Sequence, residues 1–230
     1  MSDLQSIVER PAVVAQSLQA AVYERLREMI HAGELQQLTA VRGLRLRQLA
    51  DLLGVSTMPV REAVRRLEAE GLIDFPRGGG VSVVRLSRRS IEEIAEMRVR
   101  LESLALDRAL LHLRQGHIDA AGRLLEQMDD PLSADEWRQT NKDFHWALYR
   151  PCDYQRVLNE VATLWTLMEP SLKLYTTASQ HLVGAQEEHV ALYAAWRDRD
   201  AATARDLVEG HIRRSLVLVL EGTDTSVMHD

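Results

Sequence analysis

Apolar residues recur along most of this chain at the three- and four-residue steps of an amphipathic helix, and strand-like alternation is nearly absent. Gln16 to Ala32 places Leu18, Val22, Leu26, Met29 and Ile30 on one face, with Gly33 as a stop. Leu46 to Leu53 is a short helix closed by Gly54, and Thr57 to Glu70 a second closed by Gly71. Between 71 and 85 the period changes: "LIDF", "PRGGG" and "VSVV" are two β-prone runs around a glycine-rich turn, the pattern of a small hairpin. Residues 86–89 read as a linker. Helices are then expected near 90–115, 117–128, 133–150, 153–180, 184–199 and 200–221. Ser90 with Glu93 and Ser133 with Glu136 fit capping boxes, and Pro170 should kink or break its helix. Residues 1–15 are an N-terminal arm and 222–230 a tail.

Two helices joined by a tight turn and followed by a hairpin make a winged helix-turn-helix, here residues 16–85. The fold class is mostly α, this domain preceding an all-helical bundle of six to seven helices over 90–221. In the helix from Thr57, Ser56 stands at the cap and Pro59 in the first turn, where a missing N–H costs little. Val60, Ala63, Val64 and Leu67 form the stripe to be buried, while Thr57, Arg61 and Arg65 share another face. Arginine can pair bidentately with guanine in the DNA major groove, and "RGGG" lets one guanidinium approach phosphates. Glu62/Arg66 and Glu68/Arg65 pairing on a solvated helix would account for any single arginine. Turn, cap, segregated stripes and glycine wing together favour binding of double-stranded DNA.

Charge sharpens this picture. The chain carries 28 basic and 34 acidic residues, a net -6. Residues 16–89 hold 12 Arg against 8 acidic residues, a balance of +4, and the remainder balances at -10. A basic module is thus joined to an acidic body. At 46% hydrophobic and 27% charged the composition suits packed domains. The single cysteine, Cys152, excludes an intramolecular disulfide framework. No apolar run is long enough to span a membrane, and the opening residues lack a basic stretch followed by an apolar core. A cytoplasmic protein without a membrane partner is expected.

Of eight histidines, His145, His189 and His211 fall inside three different amphipathic helices, beside Phe144, Val190 and Ile212. A lone histidine of this kind is most often a hydrogen-bonded core residue. Three that converge would suit Zn, Ni, Mn or Fe, and spacing leaves both readings open.

Particular segments resemble a known family. "VYERLREMIHAGEL", "LRQLADLLGVSTMPVREAVRRLEAEGLI" and "RGGGVSVV" are similar to the N-terminal domain of GntR-type bacterial transcription regulators. The resemblance implies DNA contacts at Arg47, Ser56, Thr57, Met58, Arg61, Arg77 and Gly78, with Arg65 a secondary phosphate contact. "QQLTAVRG" departs from the family's shorter Pro-Gly link, and Met58 stands where polar residues often occur. "IEEIAEMRVRLESLALDRAL", "NKDFHWALY" and "EEHVALYAAWRDRDAATARDLVEGHI" resemble the helical FCD effector-binding domain of the FadR-type branch. That domain commonly binds a divalent metal (Zn, Ni or Mn) through an Asp and three His, which match Asn141, His145, His189 and His211 here. Asn141 for Asp is a departure: its amide oxygen can ligate but brings no charge. Asp143, offset by two residues from His145, points elsewhere. A dication among neutral ligands leaves room for an anionic effector, expected to be a small organic acid, with Arg98 a second anchor or the i,i+4 partner of Glu102. The resemblance implies a ligand-responsive repressor, a homodimer on a pseudo-palindromic operator, and no enzyme. Two alternatives are a regulator whose helical body is a metal-independent dimerisation scaffold, and a metal-dependent hydrolase with an accessory DNA-binding domain.

Overall fold

The computed structural model describes the backbone of residues 11–39, 43–76, 79–130, 132–175 and 179–227, and the side chains within them apart from 11–17, 31, 173–175, 179–183 and 222–227. The chain divides between Arg85 and Leu86 into two compact units, each with its own core.

The first unit runs α1 (Pro11–His31), α2 (Glu34–Thr39), α3 (Leu46–Leu53), α4 (Thr57–Ala69), β1 (Ile73–Asp74) and β2 (Ser82–Val83). Helix α1 starts at Pro11, inside the stretch expected as an arm, and its Leu18 is exposed rather than part of the buried face. Val22, Leu26, Met29 and Ile30 meet Leu49 and Ala50 of α3 and Val60, Ala63, Val64 and Leu67 of α4. At about 1.5–3 kcal/mol per fully buried aliphatic side chain, this stripe-on-stripe packing is what holds α4 in place. Helix α2 falls where the sequence suggested a link. Beyond it Leu44 makes an antiparallel bridge to Val81, adding a third short edge to the wing formed by Ile73↔Val83 and Asp74↔Ser82. The tip residues Arg77 and Gly78 lie outside the described residues.

Gly54 ends α3 in the left-handed region (φ 66), which lets the chain reverse within three residues into α4. Ser56 occupies the cap position of α4, but its side chain makes no capping hydrogen bond, contrary to expectation.

The second unit is six helices: α5 (Arg88–Leu111), α6 (Gln115–Gln127), α7 (Ala134–Tyr149), α8 (Gln155–Tyr175), α9 (Ser179–Arg197) and α10 (Ala201–Val227). Helix α5 begins inside the expected linker. Its cap is Ser87, whose side chain accepts from the Ser90 N–H, and not the expected Ser90–Glu93 box. Ser133 caps α7 as the spacing suggested, its hydroxyl accepting from the Glu136 N–H at 3.3 Å. Pro170 sits inside α8 without ending it, and α10 continues to Val227 through most of the expected tail. α5 packs against α8 and α10, α6 against α7, and α9 against α10. Phe144, Leu148, Tyr149, Trp196, Leu106 and Val208 are at the centre of the core, and α7, α9 and α10 turn a polar side chain each into it.

Candidate metal centre and DNA-reading helix

Those polar side chains are His145 of α7, His189 of α9 and His211 of α10. One ring nitrogen of each lies within 4.8 Å of the other two. The closest pair, His145 Nε2 and His189 Nε2, is 3.3 Å apart. Ring centroids are separated by 4.7–5.1 Å. His145 is 1% and His189 0% exposed, so water cannot solvate an imidazolium there. Burial, reinforced by His211, His189 and Arg98, holds His145 well below the usual imidazole range. Burial and His211 lower His189 to about 3. Both rings are therefore neutral near pH 7 and present lone pairs, the form in which histidine ligates.

The far side of two rings is tied. His211 Nδ1 lies 2.8 Å from Glu188 Oε2, and Glu188 also pairs with Arg214 Nε. A carboxylate at Nδ1 makes that nitrogen the N–H donor and leaves Nε2 with the lone pair. Burial alone would raise Glu188, but the bonds from His211 and Arg214 bring it down to about 2. His145 Nδ1 faces the Tyr149 hydroxyl at 3.5 Å. That hydroxyl donates to Glu102 Oε2 at 2.7 Å, and the Trp165 indole donates to Oε1 at 3.0 Å. His189 Nδ1 is buried without a hydrogen-bond partner.

The fit to a cation can be tested on these atoms. A metal–imidazole bond of about 2.1 Å puts adjacent ligand nitrogens roughly 3.0–3.4 Å apart in octahedral or tetrahedral arrangements. The 3.3 Å pair falls in that range, and the three-way spread of 4.8 Å is wider but within reach of a rotamer adjustment. Asn141 lies one turn before His145 on α7, and its Oδ1 is buried without a partner. A buried acceptor without a partner, one helical turn from the histidine cluster, is costly unless something electropositive occupies the space. The residues fit a metal ion.

Arg98 of α5 is buried and donates to Glu102 Oε1 from Nε at 2.6 Å, with its guanidinium 4.6 Å from the Trp165 ring. The i,i+4 pairing is thus realised. The structure gives its two Nη atoms no hydrogen-bond partner among the described residues, so they remain available to an anion.

Sequence reasoning passes over Tyr149 and Glu188. Tyr149 follows His145 by one helical turn, a spacing that would have pointed to it. Glu187 is exposed, but its neighbour Glu188 is turned inward by His211 and Arg214, 23 and 26 residues downstream, so local sequence gives no signal for it. Of the other histidines, His112 is half exposed beside Asp153, and His117 accepts from the Arg114 N–H. His31, His181 and His229 have side chains outside the described residues.

On the first unit, α4 buries Pro59, Val60, Ala63, Val64 and Leu67 and turns Thr57, Met58, Arg61, Arg65 and Arg66 outward. Arg47 on α3 and Ser56 before α4 are also exposed. Arg47 and Arg61 make no ion pair among the described residues. Arg65 pairs with Glu62 at 3.3 Å, rather than with Glu68. Arg66 bonds Glu70 at 3.1 Å, rather than Glu62, and lies 3.7 Å over the Tyr23 ring. Tyr23 in turn donates to Glu70 at 2.8 Å, which closes a clamp between α1 and the end of α4. No helix among the described residues is long and apolar enough to cross a membrane.

Comparison with known proteins follows this division. Residues 18–83 match the bacterial regulatory proteins of the gntR family, and residues 93–214 match the FCD domain. The chain is 28% identical over 221 residues to the uncharacterised HTH-type transcriptional regulator BphR of Paraburkholderia xenovorans (strain LB400), covering 91% of this chain and 88% of that one. It is 24% identical over 216 residues to the HTH-type transcriptional regulator McbR of Escherichia coli (strain K12), covering 89% and 94%. The solved structure of E. coli McbR/YncC has the same fold, with a TM-score of 0.74 over 89% of this chain and 97% of that one at 24% identity. The chain belongs to the FCD-domain family, whose model covers more than half of it, and carries a gntR-family domain ahead of that: it is a DNA-binding transcription regulator and not an enzyme.

Proposed function

We propose that this regulator is a cytoplasmic, homodimeric repressor whose operator affinity is set by a small organic acid bound at a metal ion in the FCD domain. The observation that carries the reading is the convergence of ring nitrogens of His145, His189 and His211, with Asn141, whose Oδ1 is buried and unpartnered, one helical turn before His145. His145, His189, His211 and Asn141 would hold a divalent ion, Zn, Ni or Mn. When bound, that ion supplies a Lewis-acidic positive charge that its four neutral ligands do not cancel, and so attracts a carboxylate. Arg98 takes the acid's second oxygen group through its Nη atoms while Glu102 and Trp165 hold the guanidinium in place. The buried aromatic walls, Phe144 and Trp165, exclude water and strengthen these interactions.

At the other end, Arg47, Ser56, Thr57, Met58 and Arg61 read base edges in the major groove of a pseudo-palindromic duplex. The Ser56 hydroxyl, not engaged in capping, is available as a donor. Met58, 61% exposed, offers an apolar contact to a thymine methyl. Arg65 contacts phosphate after releasing Glu62, and Arg77 and Gly78 approach the backbone from the wing. The acid must bind the DNA-competent and incompetent arrangements with different affinity, and about 1–3 kcal/mol of difference is typical coupling.

The test is metal analysis of untreated protein, followed by thermal shift with Ni or Zn and then with a panel of carboxylates. A rise with metal and a further rise with a carboxylate are expected. No bound metal in the wild type, and none gained by Asn141→Asp, overturns the metal part of the reading.

A further inference from the structure

Asn141 leaves the donor set with no negative charge, yet two carboxylates reach the rings from behind. Glu102 is connected to His145 only through Tyr149, whose hydroxyl is 3.5 Å from Nδ1. It is fully buried against the equally buried Arg98 at 2.6 Å, so in that dry surrounding the pair is neutral as a unit. Glu188 differs on each count. Its Oε2 is 2.8 Å from His211 Nδ1 with nothing between them. Its cationic partner Arg214 has a side chain 54% exposed, against 24% for Glu188 and 13% for His211, so water screens the arginine more than the carboxylate.

Resting on the reading above that the three histidines hold a metal, we infer that Glu188 is a positioning residue that fixes His211 with Nε2 facing the centre and supplies the negative charge that Asn141 does not. The first role follows from hydrogen-bond chemistry, since a carboxylate is acceptor-only and enforces the Nδ1–H tautomer. The second follows from polarisation: a carboxylate behind the N–H makes the opposite lone pair more basic, which matters most where the direct ligands are all neutral. Glu188 does not occupy a coordination position, so the sites open to an organic acid stay open. One helix carries both a ligand and the group that orients the next ligand, because Glu188 and His189 are neighbours on α9 and point to α10 and α7.

The two roles separate experimentally. Glu188→Gln keeps an acceptor for Nδ1–H but removes the charge; Glu188→Ala removes both. Calorimetric titration with Ni alone is expected to show metal affinity reduced about 10–100-fold in Glu188→Gln. Adding Asn141→Asp to that variant should recover most of the loss. Arg214→Ala leaves the carboxylate on His211 and should stay within a few-fold of the wild type. Nitrogen-15 NMR of the metal-free protein should give His211 as the Nδ1–H tautomer in the wild type and in Glu188→Gln, and a mixture in Glu188→Ala. Glu188→Gln binding Ni within twofold of the wild type, or an unchanged His211 tautomer in Glu188→Ala, overturns the inference. Absence of Ni binding in both wild type and Asn141→Asp overturns the metal reading itself, a result distinct from either.

Discussion

Arg61 stands in water without an ion pair among the described residues, whereas Arg66, five residues on, is stacked over Tyr23 and tied to Glu70. Their substitutions should therefore fail differently. Arg61→Ala should leave folding untouched and cost about 1–3 kcal/mol of preference for the operator over altered sequences, read by fluorescence anisotropy against a set of mismatched sites. Arg66→Ala should cost about 1 kcal/mol of stability in denaturant melts and change sequence preference little. In the helical domain the Arg98–Glu102–Tyr149–Trp165 network is buried throughout, so the size of a loss depends on what is left behind. Glu102→Ala strands a buried guanidinium and should cost about 3–5 kcal/mol. Tyr149→Phe removes one donor of three to Glu102 and should cost about 1–3 kcal/mol. Equal losses in the two variants would mean that the charge of Arg98 is compensated elsewhere.

At the scale of elements, two glycines with positive φ test what the winged fold demands of its backbone. Gly54 (φ 66) ends α3 with open space where a Cβ would stand, so Gly54→Ala should cost only the left-handed penalty, about 1–2 kcal/mol. At Gly80 (φ 102) a Cβ would stand 2.5 Å from the Gly43 carbonyl oxygen, directly beside the Leu44–Val81 bridge. Gly80→Ala should cost clearly more than Gly54→Ala in the same melts and loosen the wing, seen as faster amide exchange at Leu44 and Val81. This contrast also marks how far the sequence carried. Helix α4 was legible because its burial follows its period: Val60, Ala63, Val64 and Leu67 are buried and Thr57, Arg61 and Arg65 are not. The site histidines were legible as candidates because each interrupts an apolar face. What was not legible depends on partners far along the chain. Six-residue α2 is too short to show a period. Ser87 and Ser90 are both good caps, and only the start of α5 decides between them. Glu188 is drawn inward by His211 and Arg214, far along the chain, and Pro170 stays within α8, whose Leu164 and Met168 are buried in the core.

For the whole molecule, the two units have separate cores, one built from residues up to Val83 and the others from Leu86 onward. The proposed metal ligands all lie in the second. Anything that binds the folded form alone stabilises it by RT ln(1 + [L]/Kd), about 2.7 kcal/mol at a hundredfold excess over Kd. For a unit of this size that is a rise on the order of 5–10 °C. Scanning calorimetry with Ni and then with a chelator should therefore move the melting of the helical domain by that amount and leave that of the winged domain in place. If both transitions move together, metal binding stabilises the reading helix directly, and the acid's effect on DNA would be carried through the stability of the winged domain. If only one moves, the metal sets the state of the helical domain alone. On the function proposed above, control of α4 would then come from the organic acid's preference between two arrangements of a folded regulator, and a metal-loaded protein without the acid should bind its operator as the metal-free protein does.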